Sequence, residues 1–154
     1  MTLFTFDVSN VWDRPIYKFL AKNDTGSAPG HQAGVLIPQE LRSYFPMLTG
    51  TTSDVQPTVD VRLEADLYVE EKHVGKVNTR YQYQTWSGTR SPEARVTDEL
   101  GAMRNLAEEN DILIFQRAVN NAYQFRITLV RKGSETYKMI VSRINGRRWG
   151  ALPQ

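Results

Sequence analysis

The chain has 154 residues, no cysteine and a formal net charge of +2. It therefore cannot be a disulfide scaffold or a thiolate zinc protein. With 23% charged and 40% hydrophobic residues it is too apolar to be disordered, and no apolar run approaches the roughly 18 residues of a membrane helix. One domain with a proper core, soluble and cytoplasmic, is the expectation. The first residues, MTLFTFDVSNVWDRP, lack the basic start of a signal peptide.

Charge is unevenly spread. Lys72 to Pro92 holds four basic residues and no carboxylate, and Ile112 to Gln154 holds eight against Glu135 alone. The acids gather in Asp60 to Glu71 and Glu93 to Asp111. Such blocks suit either a polyanion-binding face or a salt-bridged surface.

In chain order, residues 1–13 are an aromatic and polar lead-in with the makings of an edge strand, and Ile16 to Ala21 reads as the first strand. Lys22 to Pro38, KNDTGSAPGHQAGVLIP, mixes glycine, proline and short polar side chains. These bond their own backbone or break regular structure, so the stretch reads as a loop, with a short strand at Gly34 to Ile37. It is longer than a hairpin needs, and long loops in compact domains often carry function. A plain solvated loop has the same composition. Pro38 then suits the first turn of a helix with Leu41, Tyr44 and Phe45 on its buried face, and Pro46 ends it.

Thr58 to Val69 gives the clearest period. Val59, Val61, Leu63, Ala65, Leu67 and Val69 alternate with Asp60, Arg62, Glu64 and Asp66, which predicts a long strand with one wet face. After a turn at Glu70 to Lys72, a partner strand runs from Val74 to about Thr85. It places Asn78, Arg80, Gln82 and Gln84 on one face, side chains able to bond purine edges bidentately. Trp86, Ser87, Gly88, Thr89 and Arg90 follow as a turn with groups suited to phosphate. A solvent-facing hairpin uses the same residues.

Ser91-Pro92 reads as a helix opening, with Glu93 near its positive end and Leu100, Met103 and Leu106 along one side. Gly101 weakens any single unbroken helix. Asn110 suits a left-handed turn into a strand from Asp111 to Phe115. Asn120-Asn121 marks a hairpin, Tyr123 to Leu129 alternates, and Tyr137 to Ile144 is expected to close the sheet. NGRRWGALPQ reads as a domain end. The boundaries are thus 1–144 for the domain and 145–154 for a tail or the start of a linker.

KFLAKNDTGSAPGHQAGVLIPQELRSYFP resembles the start of the N-terminal effector domain of EcoRII-type restriction endonucleases and, more faintly, the plant B-three domain. The shared marks are a polar arm, a strand ending in Ile37-Pro38 and a short helix ending in Phe45-Pro46. RYQYQTWSG is similar to the B-three aromatic-polar strand and Trp turn, and Gly75-Lys76, Trp86 and Gly88 are similar to the EcoRII-type pattern. Asn78, Tyr81 and Gln82 depart from its more basic run. Together the marks span roughly residues 14 to 118.

The resemblance implies a mainly β, B-three-like pseudobarrel that binds double-stranded DNA in the major groove with two arms, Lys22–Gln32 and Lys76–Arg90. It implies a CC(A/T)GG-type site and a separate C-terminal nuclease domain. Base reading would fall to Asn23, Asp24, His31, Gln32, Asn78, Arg80 and Gln82. Phosphate positioning would fall to Lys22, Thr25, Lys76, Trp86 through its indole N–H, Ser87 and Arg90. The domain itself would be a monomer that needs no cofactor, magnesium belonging to the nuclease domain.

Two alternatives stand beside this reading. Asp60 and Glu70-Glu71-Lys72 have the look of a restriction-type metal site. On one uninterrupted strand, however, Asp60 and Glu70 would lie about 30 Å apart, and carboxylates sharing a metal must approach it within a few ångströms. The other alternative is a barrel whose arms bind a protein chain. His31 and His73 lack metal-ligand spacing, and neither a nucleophile elbow nor a phosphate-binding loop is present.

Overall fold

The computed structural model describes residues 11–26, 34–48, 55, 58–88 and 91–153. Eight strands form one sheet: β1 (Ile16–Phe19), β2 (Val35–Ile37), β3 (Thr58–Val69), β4 (Lys72–Gln84), β5 (Glu93–Thr97), β6 (Ile112–Ala118), β7 (Asn121–Val130) and β8 (Trp149–Ala151). Their order across the sheet is β2-β5-β4-β3-β7-β6-β1-β8. Among the described residues β3 and β7 run parallel and every other neighbouring pair is antiparallel. Short 3-10 turns occupy Lys22–Asp24, Gln39–Tyr44 and Trp86–Gly88. Among the described residues the α-helices are α1 (Gly101–Arg104) and α2 (Glu135–Val141). Among the described residues no helix is long and apolar enough to cross a membrane.

The sheet curls, and its inner face holds the main core. Leu63, Ala65 and Leu67 of β3 meet Tyr81 of β4, Ala94 and Val96 of β5, and Phe115, Phe125 and Ile127 of β6 and β7. Phe45 closes this barrel from the 3-10 turn, stacked between Tyr81 (4.7 Å between ring centres) and Phe125 (5.2 Å). Such offset aromatic contacts add to the burial of large rings. A smaller second core lies on the outer face of β1 and β6, where Tyr17, Ile112 and Ile114 pack beneath Ile140 and Ile144. Residues 1–10, proposed as part of an edge-strand lead-in, lie outside the described residues; Trp12 forms an isolated bridge with Ala118.

The period of β3 and β4 sets the frame as its residues dictate. β3 is unbroken over Thr58–Val69, with one register shift at Leu67/Tyr68. Asn110 takes φ +72° at the turn into β6. Three expectations are corrected. Ser91-Pro92 leads into β5 instead of a helix, because Glu93 to Thr97 pairs with β4 on one side and β2 on the other. Tyr137 to Ile144 belongs largely to α2: the Ser134 hydroxyl caps it by accepting the Tyr137 N–H at 3.1 Å, and Ile140 is buried by the helix. Residues 149–151, read as tail or linker, form β8 against β1.

The barrel seam is closed by side chains. β1 and β2 stand near opposite ends of the strand order, yet Lys18 of β1 donates through Nζ to the Leu36 carbonyl of β2 at 2.6 Å. Asp24 accepts the Leu36 N–H at 3.0 Å and the Ala21 N–H at 2.8 Å. The two side chains also pair with each other at 2.7 Å, both almost wholly buried. Leu36 thereby has both backbone groups satisfied where a neighbouring strand would otherwise be needed.

Candidate nucleic-acid interface

The loop that joins β1 to β2 leaves the barrel at this seam. Besides the Lys18–Asp24 pair, α1 grips its first turn. Arg104 donates through Nε to the Asp24 carbonyl (2.9 Å) and through Nη2 to the Thr25 carbonyl (3.0 Å), while its own carbonyl accepts the Gly26 N–H (3.0 Å). Gly26 packs tightly there: a Cβ would stand 3.0 Å from the Arg104 carbonyl oxygen and 2.7 Å from the Asn105 amide oxygen. Gly34, at φ +102°, brings the chain back so close to β5 that a Cβ would lie 2.4 Å from the Val96 carbonyl. Burial pushes the Lys18 ammonium below its ordinary range, with Asp24 pulling it back. Burial likewise lowers the Arg104 guanidinium, again against Asp24.

This geometry reassigns two residues of the first arm. Asp24 is 1% exposed and its carboxylate is committed to Lys18, Ala21 and Leu36, so it builds the root of the arm and has nothing left to offer a base. Thr25 is buried as well, its hydroxyl donating to the Lys22 carbonyl at 2.7 Å, which removes it from the phosphate set. Lys22 and Asn23 are exposed beside them. His31 and Gln32 lie outside the described residues, as does Arg90 of the second arm.

On the second arm, the alternation of β4 puts Asn78, Arg80, Gln82 and Gln84 on the outer face, with Thr79 and Tyr81 buried beneath. Asn78 is exposed and Gln82 partly so. The neighbouring strand supplies something the period of β4 does not reveal. Asp60, Arg62, Glu64 and Asp66 of β3 stand opposite Gln82, Arg80, Asn78 and Lys76. Lys76 pairs with Glu64 at 3.0 Å, Arg80 with Asp60 at 3.3 Å and Arg62 with Asp98 at 2.7 Å. The hydrogen bond to Glu64 holds the Lys76 ammonium above its usual range. A shallow polar depression of about 530 Å³, lined by Arg62, Glu64, Lys76, Asn78, Glu99 and Tyr123 among others, opens on this face.

At the end of β4, Trp86 turns the chain in the left-handed region, φ +56°, followed by Gly88 at +80°. The Trp86 indole nitrogen is enclosed, so it is not presented to solvent as a phosphate donor would be. Ser87 sits within the same 3-10 turn. Arg95 of β5, which sequence reasoning did not single out, stands opposite Gln82 and is 8% exposed, with Nη2 on Glu93 at 2.9 Å. Lys18 and Arg104 were missed too. The one signal for Lys18 was a lysine inside the otherwise apolar run IYKF.

The groups of the suspected metal site are separated by the full length of β3. Asp60 faces Arg80 near its start, and Glu70 beyond its end accepts the Arg131 N–H at 2.9 Å. Among the described residues no cluster of His, Asp and Glu could hold a metal ion.

Comparison with known proteins places this arrangement. The fold is similar to the B3 domain of the UbaLAI restriction endonuclease, solved with cognate DNA: TM-score 0.58 and 19% identity, over 94% of this chain and 82% of that one. It is also similar to the N-terminal domain of Helicobacter pylori LlaJI.R1: TM-score 0.57 and 10% identity, over 91% and 98% of the two chains. No curated protein sequence matches the chain. The family model of the N-terminal domain of restriction endonuclease EcoRII matches residues 13–140, from just before β1 into α2. That span takes in β1 to β7 and the seam between β1 and β2, and the chain belongs to this family of EcoRII-type N-terminal domains.

Proposed function

We propose that this domain is the target-recognition part of a restriction endonuclease, binding duplex DNA sequence-specifically in the major groove between its two arms. The observation that carries this reading is the family match over residues 13–140, which contains both polar arms. The likeness to a B3 domain solved with its cognate DNA supports it. The arm after β1 is rooted by buried bonds while Lys22 and Asn23 stay exposed, as a rigid reading arm requires.

Within that reading, Asn23, His31, Gln32, Asn78, Arg80 and Gln82 contact base edges, and Lys22, Lys76, Ser87 and Arg90 position phosphates. Arg80 and Lys76 must exchange Glu or Asp partners for DNA on binding. The site is of the CC(A/T)GG type, and the domain acts as a monomer. Hydrolysis and its magnesium belong to a separate nuclease domain. A gel shift with CC(A/T)GG and scrambled duplexes at physiological salt tests the assignment. Preference for the former without cleavage in magnesium supports it; equal, negligible retention of both duplexes overturns it.

A further inference from the structure

The segment after α2 carries Arg143, Arg147 and Arg148, all exposed and all beyond the stretch that the family model matches. None of the three has an ion-pair partner among the described residues. Elsewhere nearby charge is largely spoken for: Arg131 pairs with Glu108 at 3.1 Å and Lys138 with Glu135 at 3.5 Å. Glu109 is the exposed carboxylate left on the adjoining turn.

The position of these arginines matters more than their number. β8 pairs with β1, placing Trp149 opposite Lys18, and the Arg148 carbonyl accepts the Phe19 N–H at 2.8 Å. The Arg147 carbonyl accepts the Tyr17 hydroxyl at 3.0 Å. Backbone bonds therefore fix the segment against the very end of β1, three residues before Lys22 begins the first arm. The Arg148 guanidinium lies over the Phe19 ring, 5.0 Å from its centre. The Phe19 ring thus lies beside the guanidinium, a group whose planar N–H fork suits a phosphate. A guanidinium beside the root of the arm, with no ion-pair partner among the described residues, is available to an anion.

We infer that Arg147 and Arg148, with Arg143 behind them, extend the DNA interface by holding backbone phosphates of the duplex flanking the site that the arms read. The inference rests on the DNA-binding reading above and adds a sequence-independent contact outside both arms. It gives the segment after α2 a function of its own, since its arginines have no ion-pair partner among the described residues while its backbone pairs with the sheet edge.

The test uses the full chain and two labelled CC(A/T)GG duplexes, one trimmed close to the site and one extended on both sides, across a salt series. Arg147→Ala with Arg148→Ala should lower the slope of log affinity against log salt by up to about two units. Base preference should stay unchanged, and the gain in affinity from the longer duplex should disappear. Lysine at both positions should keep most of the slope. If the wild type binds but the alanine pair matches it in slope and in flank dependence, the inference fails while the DNA-binding reading survives. If the lysine pair loses binding as fully as the alanine pair, the residues act on the fold and the inference fails as well. No binding of either duplex by the wild type overturns both.

Discussion

The seam between β1 and β2 and the outer face of β3 and β4 are both built on ion pairs, yet they do different work. At the seam, Lys18 and Asp24 are sealed from water and bond four times to each other and to backbone groups of Ala21 and Leu36. On the outer face, Lys76–Glu64 and Arg62–Asp98 stand in water, and Arg80–Asp60 is partly screened. A charge pair removed from water is held tightly because its loss strands the other partner. One left in water is worth little and exchanges readily. The difference is one of environment: the seam pair is locked into the fold, while the outer-face cations are held loosely in water.

The largest effect should come from breaking the seam. Lys18→Met leaves the Asp24 carboxylate buried without its cation and should cost about 3–5 kcal/mol in a denaturant titration. A loss below about 1 kcal/mol would mean that the seam does not carry the barrel closure. Arg104→Ala removes two hydrogen bonds from a charged donor and should cost about 1.5–3 kcal/mol. It should also speed amide exchange at Gly26, whose N–H bonds to the residue 104 carbonyl, and unaltered exchange would show that α1 does not restrain the arm.

Effects on the outer face should appear in binding and scarcely in folding. Arg80→Ala should weaken the preferred duplex by roughly 1–3 kcal/mol and relax discrimination at one guanine. Lysine there should restore non-specific affinity more than specificity, because it keeps the charge and loses the fork. Measurement against all single-base changes of the site decides, and unchanged preference in both variants would remove Arg80 from the reading set. Arg90→Ala should lower the salt slope by up to about one unit and weaken all sequences alike. A loss confined to the preferred site would contradict a phosphate role. At the bottom of the scale, Lys76→Ala should leave the melting temperature unchanged, since the Lys76–Glu64 pair is open to solvent. A clear drop would erase the contrast between the two regions.

Several features were readable from the chain alone because they depend on neighbours in sequence. The strict alternation from Val59 to Val69 fixed β3 and its wet face, and the polar set of β4 followed from the same two-residue period. Asn110 at a left-handed turn and the helical turn between Pro38 and Pro46 were local matters of backbone sterics. The family resemblance rested on the order of such local marks. Tertiary structure decided the rest. β5 formed after Ser91-Pro92 because two strands were waiting on either side, and a helix-opening pair of residues cannot announce that. Asp24 looked like one more polar residue of a loop until Lys18 and Leu36 closed around it. Arg147 and Arg148 looked like the start of a linker until β8 laid them against β1. Local sequence sets period and turn, but burial and the choice of partner are fixed by segments far away in the chain, and these decide whether a charge builds the fold or remains available to a ligand.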